Sequence, residues 1–85
     1  MSGRTALVTG AAAGIGAAIA GLLAGRGYRV ALLDRDGDAV AKAAEGLEGA
    51  LALAADVAKE GDVARAFDSL PFVPDLVVNN AGIVR

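Results

Sequence analysis

Thr5-Ala-Leu-Val-Thr-Gly-Ala-Ala-Ala-Gly-Ile-Gly16 decides how this 85-residue chain is read. Ala6, Leu7 and Val8 form a short apolar run that stops at a turn signal, as a buried strand does. Gly10, Gly14 and Gly16 then space a turn that leads into an Ala-rich segment with no helix breaker until Gly21. Strand, glycine turn and helix start together make a phosphate cradle. Main-chain N–H groups at the helix N-terminus, with the helix dipole behind them, attract a pyrophosphate. A side chain at the glycines would hold that ligand away from the backbone. The spacing is Gly-x-x-x-Gly-x-Gly rather than the commoner Gly-x-Gly-x-x-Gly. Alone, it also fits an Ala/Gly-rich turn that binds nothing.

Working outward, residues 15–24 read as a first helix, with Ile19, Leu22 and Leu23 on one face and a stop at Gly25 and Gly27. Arg29–Asp34 is a continuous apolar run, the pattern of a strand buried on both faces. Asp36-Gly37-Asp38 reads as a turn, with Asp38 as N-cap of a second helix from Ala39 to about Leu47. Ala50–Ala55 is a third strand, and Asp56-Val57 closes it. Lys59–Leu70 is a third helix with Val63, Ala66, Phe67 and Leu70 facing inward, ended by Pro71 and Pro74. Asp75–Asn79 is a fourth strand, followed by Asn80-Ala81-Gly82. The alternation βαβαβαβ implies a parallel sheet with right-handed crossovers.

Bulk properties narrow the class. Hydrophobic residues make up 55% and charged residues 21%, the balance of a globular chain rather than a disordered one. Aromatic residues are 4%, so the core is built of Ala, Val and Leu. The net charge of −2 argues against nucleic acid or an anionic membrane as partner. The chain holds no Cys and no His, which excludes disulfides, Cys/His zinc sites and triads built on either residue. A reducing, cytoplasmic setting is compatible with this. The uncharged stretch from Ala6 to Gly25 is long enough to mimic a signal peptide or a membrane span. Its Ala and Gly content and the interruption at Thr9 favour a strand, a turn and a helix instead.

Polar residues recur at the strand ends. Asp34 closes the second strand, where a carboxylate can accept hydrogen bonds from both hydroxyls of an adenosine ribose and repel a 2′-phosphate. That favours NAD over NADP. Arg35 pulls the other way, since it could meet a 2′-phosphate, and it could equally stack on adenine or face solvent. Asp34, Asp36, Asp38 and Glu45 also match four positions of a calcium-loop pattern, but Ala39 stands where that loop needs Gly, so no metal is assigned. Asp56 could accept from an adenine amino group with Val57 packed on the ring, or it could cap a helix. Asn79 and Asn80 carry amides that both donate and accept, and so can tie strand ends together.

Thr9-Gly-Ala-Ala-Ala-Gly-Ile-Gly16, Asp34, Asp56-Val57 and Asn79-Asn-Ala-Gly82, in this order, resemble the short-chain dehydrogenase/reductase family in its NAD(P)-dependent branch. The resemblance runs across nearly the whole chain. It implies a three-layer Rossmann-type α/β fold with strand order 3-2-1-4. It further implies that Gly10, Ala12, Ala13, Gly14, Ile15 and Gly16 hold the pyrophosphate and adenosine, with Ile15 giving a main-chain N–H. Asp34, with Arg35 beside it, would take the ribose, Asp56 and Val57 the adenine. Asn80, Ala81 and Gly82 would line the nicotinamide-side ribose. Position 13 often carries a basic residue in NADP-preferring relatives and is Ala13 here. Position 12 is often Ser and is Ala12 here, which removes one phosphate contact.

The family's chemistry uses a Ser and a Tyr-x-x-x-Lys pair, with the tyrosine as general acid or base and the lysine lowering its pKa. Neither maps onto this sequence. Tyr28 has Leu32 four residues on, and the serines are Ser2 and Ser69. The expectation is therefore that residues 1–85 are the N-terminal portion of one NAD(P)-binding Rossmann domain. The catalytic residues would lie past Arg85, and the chain alone would be inactive. The complete protein would pass a hydride between NAD(H) and a small alcohol or ketone substrate. By the same resemblance it would be a homo-oligomer, a tetramer, completed by the C-terminal half of the domain. A non-catalytic nucleotide-binding or regulatory module is the alternative.

Overall fold

A computed structural model describes residues 3–80. Seven elements alternate along them: β1 (Thr5–Thr9), α1 (Gly14–Gly25), β2 (Arg29–Asp34), α2 (Gly37–Glu45), β3 (Leu51–Ala54), α3 (Glu60–Ser69) and β4 (Leu76–Asn79). The four strands make one parallel sheet in the order β3-β2-β1-β4. Register pairs Leu7 with Ala31 and Val77, and Val8 with Leu32 and Val78. The uncharged stretch 6–25 is β1, the glycine turn and α1, and no helix among the described residues is long and apolar enough to cross a membrane.

Because side chains alternate across a strand, two central strands feed two cores. Val8, Val30 and Leu32 point to one face, where Ala20 of α1 and Val40 and Ala44 of α2 cover them. Leu7, Ala31 and Leu33 point to the other, where Ala55, just after β3, and Ala66 of α3 meet them. Leu7, Leu32 and Leu33 are fully buried, and each such side chain contributes about 1.5–3 kcal/mol of hydrophobic stabilisation. β1 and β2 therefore need the uninterrupted apolar runs that the sequence shows.

The ends of the sheet are tied by polar contacts. Asp75 Oδ2 accepts from the Thr5 N–H at 2.9 Å, and the Asp75 N–H donates to Thr5 O at 3.0 Å, clamping the start of β4 to the start of β1. Arg29 reaches Gly49 O through Nε and lies 5.4 Å from the Phe72 ring centre, joining the loops before β3 and β4.

Three local expectations are corrected. α2 begins at Gly37, because Asp36 rather than Asp38 is its N-cap: Asp36 Oδ1 accepts from the Ala39 N–H at 3.1 Å. Asp38 sits instead in the first turn, exposed, where its charge suits the helix dipole. Leu22 of α1 and Phe67 of α3 are 58% and 43% exposed, not inward. The small residues Ala20 and Ala66 make the close contacts to the sheet, and a larger neighbour on the same helix is left at the margin.

β4 pairs with β1 on one side and with no other described strand. Leu76 and Val77 are 37% and 49% exposed along it. An apolar edge of this kind seeks a partner strand. The 85-residue chain should therefore associate as its concentration rises, and Val77→Lys should suppress that association. Sedimentation velocity reads both. A parent chain that stays monomeric over a wide concentration range contradicts the expectation.

Candidate nucleotide-binding site

All four strands run the same way, so their carboxyl ends share one edge of the sheet. Gly10 follows β1, Asp34 ends β2, Asp56 follows β3, and Asn79 and Asn80 end and follow β4. In an open parallel sheet the ligand crevice lies outside these ends, where the strand order reverses. Here the reversal falls between β1 and β4, beside the glycine turn.

The turn is shaped by two different demands on glycine. Gly10 and Gly14 have φ of 63° and 62°, the left-handed region where a side chain is strained. Gly16 is instead a matter of space. A Cβ there would lie 2.0 Å from Gly10 O and 2.8 Å from Asn80 Nδ2. The first turn of α1 thus presses directly on the end of β1. Asn80 holds the same carbonyl, donating from Nδ2 to Gly10 O at 3.1 Å.

The N-terminus of α1 is uncapped. Ala13, the N-cap, makes no side-chain cap, and no acidic residue lies in the first turn. The first internal helical bond is from the Ala17 N–H to Ala13 O. The N–H groups of Ala13, Gly14, Ile15 and Gly16 therefore meet no acceptor among the described residues. Ala13, Gly14 and Ile15 are exposed, and a Cβ on Gly14 would meet nothing within 4 Å. Donors, dipole and open space coincide at one place.

Asp34 faces this turn. Its Oδ2 accepts from the Ala12 N–H at 3.1 Å and its Oδ1 from the Asp36 N–H at 3.0 Å. A carboxylate has about four lone-pair sites, so both oxygens keep capacity for further donors. The Ala12 methyl packs on the core beneath. Asp36, with its side chain on the α2 N-terminus, is likewise engaged by the backbone, and no metal-holding group of acids exists among the described residues.

Gly10, Leu33, Asp34, Arg35, Ala55, Asp56, Val57 and Ala58 line an open groove of about 400 Å³ that continues from the turn. Asp34 and Asp56 bring carboxylates to it, Arg35 a guanidinium, and Val57 an exposed apolar face. Asp56 Oδ1 accepts from the Ala58 N–H at 2.9 Å, which turns the loop after β3. Of the expected site residues, Gly10, Asp34, Arg35, Asp56 and Val57 share this groove. Ala12, Ala13, Gly14, Ile15 and Gly16 form the adjoining turn, and Asn80, just after β4, braces it. Ala81 and Gly82 lie outside the described residues. The sequence gives no signal for Leu33 and Ala55, which enter as the last apolar positions of their strands. Ala58 could have been found from its place directly after Asp56-Val57.

Two glycines that look alike in sequence should behave differently. Gly14→Ala costs only the left-handed strain, about 1–2 kcal/mol. Gly16→Ala drives a methyl group into the Gly10 carbonyl and should cost about 3 kcal/mol or more, the upper end for an overpacked site. Urea denaturation of both variants tests this. Equal losses would mean that the contact between helix and strand is looser than described.

The family model for the short chain dehydrogenase matches residues 4–85. Carbonyl reductase family member 4 of Danio rerio is 42% identical over 87 residues, covering 96% of this chain and 37% of that protein. The 3-ketoacyl-(acyl-carrier-protein) reductase of Brucella melitensis, solved with NADH, superposes with a TM-score of 0.77 at 39% identity, over 80% of this chain and 28% of the other. The Pseudomonas aeruginosa RhlG/NADP complex gives 0.86 at 38% identity, over 98% and 36%. The chain thus spans about a third of the length of the relatives it matches. A parallel 3-2-1-4 sheet with an uncapped glycine turn at its reversal, and a family match over nearly every residue, lead to one conclusion: this chain belongs to the short-chain dehydrogenase family.

Proposed function

We propose that this chain is the dinucleotide-binding portion of an NAD(H)-dependent short-chain oxidoreductase acting on a small alcohol or ketone. One observation carries the reading: the exposed N–H groups of Ala13, Gly14 and Ile15 at the start of α1, which meet no acceptor among the described residues, open beside a carboxylate, Asp34, that faces the same turn. That donor set fits a diphosphate joined to a sugar with two hydroxyls. The relatives solved with NADH and with NADP support a nicotinamide dinucleotide as the ligand.

Each residue then has a chemical task. The N–H groups of Ala13 to Gly16, with the α1 dipole behind them, neutralise the diphosphate. Gly10 and Gly14 let it approach the backbone. Asp34 accepts from the ribose hydroxyls, its position fixed by the Ala12 and Asp36 N–H groups. Asp56 and Val57 receive the adenine, one by hydrogen bonding and one by packing. Asn80, Ala81 and Gly82 are assigned to the nicotinamide-side ribose, as the family resemblance implies. Bound there, the dinucleotide supplies the hydride acceptor or donor.

We assign residues 1–85 to the N-terminal portion of one domain, with the proton donor supplied from outside them. Tyr28 does not fit that task. It sits before β2, at the opposite end of the sheet from the groove, half-buried against the α1 and α2 core. The same reading places the complete protein in the cytoplasm as a homo-oligomer.

NAD is favoured over NADP because a 2′-phosphate would lie against the Asp34 anion, and Ala13 offers no compensating charge. Exposed Arg35 is the one described cation on the groove. Calorimetric titration of the complete protein should show NAD binding more tightly than NADP, by about tenfold or more, the scale of one unscreened like-charge contact. Asp34→Asn should narrow that gap, and Arg35→Ala should widen it. Tighter binding of NADP by the parent protein would overturn the NAD assignment, and failure to bind either would overturn the nucleotide reading itself.

A further inference from the structure

Asp62 is a residue that neither the strand ends nor the glycine turn would single out. It occupies the third position of α3, where an acid often turns back to cap its own helix. It does not do so. The N-cap N–H, that of Lys59, donates instead to Asp56 O at 2.9 Å, and Lys59 itself gives no side-chain cap. Asp62 reaches further back, and its Oδ2 accepts from the Asp56 N–H at 3.0 Å. Its other oxygen, Oδ1, forms an ion pair with Arg65 Nη2, one turn along the same helix.

Asp56 is thereby held at three atoms. Its N–H donates to Asp62, its carbonyl accepts from Lys59, and its Oδ1 accepts from Ala58. Only Oδ2 of its carboxylate keeps no hydrogen bond among the described residues, and Asp56 is one of the residues that line the groove. We propose that Asp62 is a positioning residue for the adenine end of the bound dinucleotide. By anchoring the Asp56 main chain it fixes where the Asp56 carboxylate and Val57 meet the base, and so sets adenine affinity. The inference rests on the nucleotide reading given above.

The anchor is built to persist at neutral pH. The Asp56 N–H, opposed by desolvation and helped by the charges of Arg65 and Lys59, holds the Asp62 carboxyl below its ordinary value, so the acceptor stays an anion. Arg65 in turn restrains the carboxylate from the solvent side, its own side chain being largely exposed. The coupling runs one way in space, from α3 to the loop after β3. It does not touch the glycine turn, which is braced separately through Asn80 and Asp34.

That separation gives the test. Adenosine diphosphate and inorganic pyrophosphate are titrated into the parent protein, Asp62→Ala and Asp62→Asn, with amide exchange at Asp56 followed by NMR. Asp62→Ala should weaken adenosine diphosphate about tenfold, the scale of one lost charge-assisted hydrogen bond. Pyrophosphate, held by the turn alone, should change less than about twofold. The Asp56 amide should exchange faster in Asp62→Ala. Asp62→Asn keeps an acceptor oxygen and should restore most of the adenine affinity. Equal losses for both ligands would make Asp62 a general stabiliser and overturn the proposal. So would an Asp56 amide that exchanges as slowly in Asp62→Ala as in the parent. If the parent protein binds neither ligand, the nucleotide reading fails and this inference falls with it. That outcome is distinct from a parent that binds both and variants that fail to separate them.

Discussion

The first turn of α1 touches the end of β1 with no room for a methyl group between them. Gly16 stands against Gly10 O, and Asn80, just after β4, grips the same oxygen. This contact fixes the helix axis relative to the sheet, and the rest of the site follows from it. An α-helix leaves its first N–H groups without internal partners. Where those groups point is decided by how the helix is seated. Pressed onto β1, α1 aims them past the carboxyl edge of the sheet, where Gly14 leaves the space open. Any side chain at Gly16 would tilt or lift the helix and misdirect the donors without removing one of them.

A second layer of hydrogen bonds fixes the loops that surround this seat. The carboxylate of Asp34 joins β2 to the glycine turn through Ala12, and to the start of α2 through Asp36. Asp62 joins α3 to the loop after β3. In both cases an acid accepts main-chain N–H groups from a neighbouring segment, so the edge of the sheet gains order that its short loops would lack. The acids also concentrate negative charge beside the groove, while the α1 N-terminus supplies a positive end. A ligand with anionic phosphates at one position and neutral hydroxyls at another matches that division.

Much of this was legible in the sequence, for identifiable reasons. Ala6–Val8 and Val30–Leu33 are apolar without interruption because β1 and β2 are buried on both faces, so their strands are plain to see. The Gly10, Gly14 and Gly16 spacing located the turn, and Asp34 sits where an acid at a strand end was expected to sit. What stayed hidden depended on tertiary contact. Asp36 and Asp38 flank Gly37, and either fits a helix N-cap by type; only the path of the chain out of β2 selects Asp36. Leu22 and Phe67 lie on apolar helix faces, yet the short strands leave them uncovered while Ala20 and Ala66 make the contacts. Asp62 gave no signal because its partner is a main-chain N–H, which every residue but proline carries.

The central claim is that the amides at the start of α1, which meet no acceptor among the described residues, and the Asp34 carboxylate bind one ligand together. Titrating NAD into isotopically labelled protein and following each main-chain amide by NMR tests it directly. The account predicts that the amides of Ala13 to Gly16 and those around Asp34 shift most and saturate together, with one affinity. Unmoved signals there, or shifts centred instead on the groove at the opposite end of the sheet beside Tyr28 and Leu47, would contradict it.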